Sequence, residues 1–314
     1  MVRIRIGTLT LFVLILIFSS CTAPRSMLQS GKVVPKGVIR GGVNYTFNIS
    51  SVPIEKSIQG AYNISNSYAN KDTILFNTQV ESINKAFLAY CLDPITFNDE
   101  IYLRVGLGKR MDMGFKTMGG AHAADVMYQF LGSNASFDNS DKGGMYGSVG
   151  LQYSFQNYRF LKYPMFDKIE KMFNFEMSRK DITIPITFSK SWGPEERVGC
   201  FSFGFVYSHS FIKYKIEPKN IYKAADQAGV DPVLLEPVKA KMDFDSYGTF
   251  INFKVGRKYI FFNVSLTAYY QKYGMYPLLG GSNVRLEGIS IVPSYGIQFN
   301  IPTKKKKKDV GVQS

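Results

Sequence analysis

Apolar and polar residues alternate with a period of two in ten separate stretches of the chain, the pattern of β-strands whose two faces meet different surroundings. The clearest pair lies between Ser246 and Gln271. Tyr247, Thr249, Ile251, Phe253 and Val255 share the apolar face of the first run, and Ile260, Phe262, Val264, Leu266, Ala268 and Tyr270 share it in the second. Asn252, Lys254 and Gly256, then Asn263, Ser265, Thr267 and Gln271, take the opposite face. A two-residue turn at Arg257-Lys258, with Gly256 opposite Tyr259, joins the runs into an antiparallel hairpin and keeps the faces continuous.

The same alternation predicts strands over residues 35–48, 100–108, 111–118, 123–131, 145–156, 182–192, 200–211 and 288–301. Gly119-Gly120 is a hairpin signal, and Met118 and Ala121 on either side of it share the inward face, as a two-residue turn requires. Long connections should follow strands one, five, seven and nine. The first, ending at Asp99, contains a helix or a strand near Thr73 to Val80; a helix would run from Thr73 to Cys91 behind the cap Asp72. The stretch 158–180 holds the amphipathic segment FDKIEKMFNF, and 216–243 holds two helices, one capped by Asn220 and ended by Gly229, the other begun by Asp231-Pro232. Residues 21–34 read as a short polar linker, and 302–314 as a disordered polybasic tail.

The apolar faces carry no Asp, Glu or Arg, and their ionisable residues are His209 and the end-placed Lys190 and Lys272. A cation in mid-bilayer would cost about 2–4 kcal/mol. The opposite faces hold Arg40, Arg104, Asp112, Lys116, Asp125 and Lys254, which a polar lumen accepts and a dry sandwich does not. The fold class that fits is all-β: an antiparallel transmembrane β-barrel of about ten strands, within a range of eight to twelve, with helical extracellular loops. Composition agrees, because 20 Tyr and 25 Phe at near-neutral mean hydropathy suit a barrel that shows its rings to lipid.

The N-terminus has Arg3 and Arg5, an apolar run from Thr8 to Phe18, and Ser19-Ser20-Cys21. Eleven apolar residues are too few to span a bilayer, so residues 1–20 are a signal peptide. The stretch resembles a bacterial lipoprotein signal, whose lipobox ends in a small residue and an obligatory Cys, here Ser20 and Cys21. Together with the ten alternating segments and the closing SYGIQFNI, it makes the chain similar to the outer-membrane β-barrel lipoproteins of Gram-negative bacteria. That resemblance implies an N-acyl diacylglyceryl group on Cys21, residence in the bacterial outer membrane, a barrel over 35–301, and a C-terminal strand, with Phe299, read by the barrel insertion machinery.

The net charge of +14 is spread over turns and loops and the run Lys304 to Lys308, with no aromatic-interleaved basic stripe, so nucleic acid is not an expected partner. Anionic lipid is. Arg40, Arg104, Asp112, Lys116 and Asp125 come from four consecutive strands and should form one lumen network, to which the inward Lys254 also belongs. A ten-stranded lumen is only slightly wider than one that side chains fill, so the network is either a structural plug or a narrow path preferring anions. A lipid hydrolase centred on the outward His209 is a further reading, opposed by the inward parity of Ser208 and Ser210. His122 shares the outward parity, whereas Asp125 and Asp181 point inward, which disfavours a rim protease. Two His and the two cysteines other than Cys21 lack metal-ligand spacing, and no cofactor or catalytic residue is expected. Cys91 and Cys200 fall at opposite ends of the barrel, too far apart for a disulfide. Loops 158–180 and 216–243 are the expected places for an extracellular ligand, because loops on a rigid scaffold carry recognition. The expected role is structural or surface interaction, with the lumen narrow or plugged by charged side chains.

Overall fold

The computed structural model describes residues 25–59, 76–133, 144–158, 174–193, 196–217, 237–279 and 281–303. Its ten strands are β1 (Val38–Ser50), β2 (Thr96–Gly106), β3 (Met111–Met118), β4 (Ala121–Leu131), β5 (Met145–Tyr158), β6 (Glu176–Trp192), β7 (Gly199–Ile216), β8 (Val238–Arg257), β9 (Ile260–Pro277) and β10 (Asn283–Pro302). Each pairs antiparallel with its sequence neighbours, and β1 pairs with β10, so the sheet closes into a barrel without a free edge. Among the described residues the helices are α1 (residues 51–59) and α2 (Phe76–Leu92), both in the β1–β2 connection, where the sequence offered a helix or a strand.

Closure leaves two unlike surfaces. Outward positions such as Phe203, Ile251, Leu266 and Ile297 are exposed, whereas inward Ser202, Asn252, Ser265 and Gln298 are buried. The ladder runs round the barrel with no free edge strand, and the exposed face is apolar, which is the arrangement that spans a bilayer with strands. Three connections at one end are long, between β1 and β2, β5 and β6, and β7 and β8, and that end is extracellular by the rule for such barrels. The first residue of β1 and the last of β10 pair at the other, periplasmic end, as Val38 with Pro302.

Several boundaries differ from the sequence reading. The β8–β9 turn is Lys258-Tyr259, not Arg257-Lys258: Arg257 pairs with Ile260 and Gly256 with Phe261. Lys258 takes a left-handed φ of 57° to make it. Moving the partner by two residues preserves the faces, so the parity survives the misplaced turn. Strands β6 to β10 also run further out. β6 starts at Glu176, β8 at Val238 and β10 at Asn283, and β9 ends at Pro277, so the β9–β10 connection is Leu278–Ser282 and short. The amphipathic segment of 158–180 up to residue 173, the part of the expected helical stretch 216–243 that runs from 218 to 236, the cap Asp72, Cys21 and the tail from Lys304 lie outside the described residues, whereas 238–243 of that stretch are strand in β8 and not helix.

The extensions were missed because their polarity is inverted. Above the apolar belt the outward residues are Lys213, Lys239, Lys241, Arg285 and Glu287, and the inward ones are Met177, Ile212, Tyr214, Phe244, Tyr273 and Leu286. The inward set packs with Phe87, Leu88 and Leu92 of α2 into one hydrophobic cluster that caps the barrel from outside. Below the belt's outer edge the barrel is apolar outside and polar inside; above it, the reverse.

The belt makes a direct prediction. Ile251→Lys puts an ammonium on the lipid face and should destabilise the folded barrel by about 2–4 kcal/mol, read as a lower denaturant midpoint in bilayers. Lys241→Ile, above the belt, should change the midpoint by less than about 1 kcal/mol.

Candidate functional site

Among the described residues, charged side chains from many strands converge in the lumen, and it holds more than its wall. Residues 25–34, part of the stretch that reads from sequence as a short polar linker, run inside the barrel. Met27, Val33 and Val34 are buried, as are Ser26, Ser30 and Lys32. The segment runs toward the periplasmic end parallel to β2, with an isolated bridge between Lys36 and Gly106, and turns back into β1 at Gly37, whose φ is 83°. Gly106 has no side chain because the backbone of Val34 and Pro35 occupies the space a Cβ would need.

The wall bonds this segment along its length. Near the extracellular end Arg25 pairs with Asp93 at 2.6 Å, and the Tyr269 hydroxyl donates to the Arg25 carbonyl at 3.0 Å. The Ser26 hydroxyl donates to Glu100 at 2.5 Å, while Lys116 donates to the Ser26 carbonyl at 3.2 Å. Ser265 and Asn252 donate to the carbonyls of Met27 and Gln29 at 2.9 and 3.2 Å. Met27 itself packs on Val206, Phe250 and Tyr269. Lower down, Ser30 bonds Glu196 and lies 3.3 Å from the Ser189 hydroxyl, and Gly31 N–H donates to Ser189 at 3.1 Å. Val33 N–H donates to Gln129 at 3.3 Å and Val34 N–H to Asp112 at 2.6 Å. Lys32 lies over the Tyr146 ring at 4.8 Å. A segment placed in a lumen must find partners for its own backbone groups, and here polar wall residues supply them.

The lumen charges foreseen from sequence are all inward, but they divide into smaller sets. Arg104 bridges Asp112 and Asp125 through separate guanidinium nitrogens. Lys116 pairs with Glu100 at 3.5 Å, and Lys254 with Glu196 at 2.5 Å. Arg40 donates to Asn300 at 3.2 Å, across the β1–β10 closure. Cys21 is the remaining predicted site residue and is outside the described residues. Sequence reasoning missed Arg25, Glu100, Glu196 and Asp93. Glu196 sits in the β6–β7 turn and Asp93 in the connection after α2, where strand parity says nothing about direction. Burial alone would raise the Asp93 carboxyl, but Arg25 and donors from Ser290 and Asn48 hold it down at about 2. Burial works against Glu196 too, and the Lys254 ammonium keeps it below the usual carboxylate range.

On the lipid side, His209 Nδ1 lies 2.8 Å from Asp245, which also accepts from the Tyr207 hydroxyl at 2.7 Å, and Phe211 packs edge-on against the imidazole. Ser208 and Ser210 are buried inward, as parity required. His122 stacks on Phe115 and meets Phe155 at a tilt on the outer face. Cys91 and Cys200 are free and buried. No group of His, Cys, Asp and Glu suited to a metal occurs among the described residues.

A closed ten-stranded sheet, an apolar belt and a polar interior define the class: this is a membrane-spanning β-barrel of the outer-membrane type, located in the bacterial outer membrane. No family model matches the chain, and no curated protein matches it in sequence. Among solved structures it is similar to Ail, the attachment invasion locus protein of Yersinia pestis, at 8% identity and TM-score 0.33, over 85% of this chain and 99% of that one. It is similar also to the outer membrane protein OprG from Pseudomonas aeruginosa, at 7% identity and TM-score 0.28, over 87% and 99%. At such identities and scores, nothing about activity or partner rests on the likeness.

Arg104→Ala tests the lumen. It leaves Asp112 and Asp125 buried without their shared cation, and should lower stability by about 3–5 kcal/mol. Arg40→Ala removes one hydrogen bond to Asn300 and should cost about 1 kcal/mol. Equal denaturant midpoints for the two variants would contradict the assignment.

Proposed function

We propose that the protein is a lipid-anchored outer-membrane barrel whose lumen is stopped by its own N-terminal segment, and that it acts through its extracellular surface in a structural or surface-interaction role. The observation that carries this is the occupation of the lumen by residues 25–34. Beside that segment, the cavity between Ser26, Lys32, Arg40 and Arg104 is about 50 Å³, room for a water or two and too little for a hydrated solute. Above it, α2 and the hydrophobic cluster cap the mouth.

The charge pattern weakens the anion-path alternative. Arg104, Lys116 and Lys254 each face a carboxylate, so the basic surplus of the chain is not displayed along an open conduit. The lipid-hydrolase alternative has a His–Asp pair at the outer-leaflet edge, but the neighbouring serines are on the wrong face for a nucleophile. The reading is therefore non-enzymatic. Its partners are the acyl chains on Cys21, the bilayer, the insertion machinery that reads the Phe299 strand, and a ligand at the loops between β5 and β6 and between β7 and β8.

Planar-bilayer recording of the heat-modifiable protein tests the stopper. The intact barrel should be silent. A variant lacking residues 25–34 but retaining the signal and Cys21 should conduct. Steady openings of the intact barrel would contradict the reading.

A further inference from the structure

Four lysines stand in a block on the outer wall of β7 and β8, above the apolar belt. Lys213 and Lys215 point outward from β7, and Lys239 and Lys241 from β8. The register sets Lys213 directly opposite Lys241 and Lys215 directly opposite Lys239. Neighbours so placed are about 5 Å apart across the strands, and the two rows are about 7 Å apart along them. Like charges in direct opposition destabilise a sheet, and here two such pairs are stacked. Packing does not call for them, because the inward residues of the same strands, Ile212, Tyr214 and Phe244, already fill the cap.

The surrounding carboxylates leave the block positive. Glu217 takes up Lys215 at 2.7 Å, Glu176 stands opposite Lys215 on β6, and Asp243 lies 3.8 Å from His209. Among the described residues, Lys213, Lys239 and Lys241 have no carboxylate within ion-pair distance. Lys180 of β6 adds a further positive charge at the foot of the block, opposite Phe211. Asn157, Glu176 and Ser178 join the four lysines around an open groove of about 520 Å³, within the size range of ligand sites.

Depth identifies what faces the groove. Phe211 is the last outward apolar residue of β7, and Lys213 is two residues above it; on β8, Lys241 is four residues above Asp245, the first outward charge over the belt. At about 3.3 Å per residue and a tilt of about 40°, the block spans from about 5 Å to about 15 Å above the belt's edge. A phospholipid head group reaches about 5–7 Å beyond the hydrocarbon, so its phosphate meets the lowest lysine and leaves the upper row without a partner. The outer leaflet of a bacterial outer membrane is built of lipopolysaccharide, whose saccharide head rises further and carries several phosphates. Lysine, a compact charge on a flexible stem, suits such groups. We infer that the four-lysine block on β7 and β8 is a docking site for the phosphorylated saccharide head of lipopolysaccharide, so that the barrel binds the lipid around it. This rests on the proposed surface role and deepens it by naming a partner; it needs neither the stopper nor the acylation.

The test titrates the full-length protein, in neutral detergent, with three fluorescently labelled lipids: lipopolysaccharide with a phosphorylated core, the same lipid stripped of its phosphates, and phosphatidylglycerol. The protein should prefer the first. Lys213→Gln/Lys239→Gln/Lys241→Gln should bind it about 100-fold more weakly, while the corresponding triple Arg variant keeps its affinity. Both variants should retain heat-dependent gel mobility. If the triple Gln variant loses it, Lys241→Gln alone decides, with an expected loss of about fivefold. Equal affinity of the wild-type and Gln proteins for the phosphorylated lipid would overturn the site, as would binding that survives removal of the phosphates. Phosphatidylglycerol bound as tightly as lipopolysaccharide would overturn the choice of partner. Bilayer recording reads the stopper separately: a conducting intact barrel sinks the stopper and leaves the lysine site, whereas a silent barrel with unchanged lipid affinity in the Gln variant sinks the site alone.

Discussion

A ten-stranded lumen is wider than its own side chains fill, and this barrel resolves the excess with one strand-like length of its own chain. Eight strands leave an interior that side chains can pack; two more leave roughly the cross-section of one extended peptide. Residues 25–34 take that space, and the inward wall is built to receive them. Ser265, Asn252, Ser189, Gln129 and Asp112 meet successive backbone groups of the segment, and Gly106 gives way to it. The buried ion pairs follow from the same constraint. Asp112 accepts from Val34 N–H while it pairs with Arg104, and Glu196 accepts from Ser30 while it pairs with Lys254, so the wall's charges are balanced and the thread is bonded by the same groups.

The second organising feature is the reversal of polarity at the outer edge of the belt. Within the bilayer the barrel is polar inside, where a bonded peptide lies. Above it the lining becomes Ile212, Tyr214, Phe244 and Tyr273, and α2 packs into that lining as a helix packs on the inner face of a soluble sheet. Asp93, at the junction, ties the two halves. It follows α2, pairs with Arg25 at the tip of the thread, and accepts from Asn48, Gln271 and Tyr273 on the wall. Cap, thread and barrel thus meet at one buried carboxylate.

Strand parity made the barrel legible: it placed Arg104, Asp112, Lys116, Asp125 and Lys254 inward and His209 outward with only the alternation of neighbours to go on. It failed where its premise failed. Scoring apolar-out alternation could not find the outer halves of β8 to β10, where Lys241 is out and Phe244 is in. It could not aim Glu196 or Asp93, which lie in a turn and a connection and have no face to inherit. The thread was the largest omission, because SMLQSGKVV reads as a polar linker when taken alone. Its signal was on the other side of the contact, in the inward polar groups Ser265, Asn252, Ser189 and Gln129 and in inward Gly106, where a Cβ would meet the backbone of Val34 and Pro35.

Occupation of the lumen by the N-terminal segment is the central claim, and a cross-link reads it directly. The hydroxyl oxygens of Ser30 and Ser189 are 3.3 Å apart across the thread–wall contact, within the range from which two cysteine sulfurs can bond. In outer membranes containing Ser30→Cys/Ser189→Cys, mild oxidant should convert the pair to an internal disulfide while the barrel keeps its heat-dependent gel mobility. Both pairs are made in the Cys200→Ser protein, because Cys200 lies within hydrogen-bond reach of Ser30; there Ser30→Cys/Ser290→Cys, which joins opposite ends of the lumen, should remain reduced. Free alkylation of both thiols in the folded Ser30→Cys/Ser189→Cys protein would contradict the account.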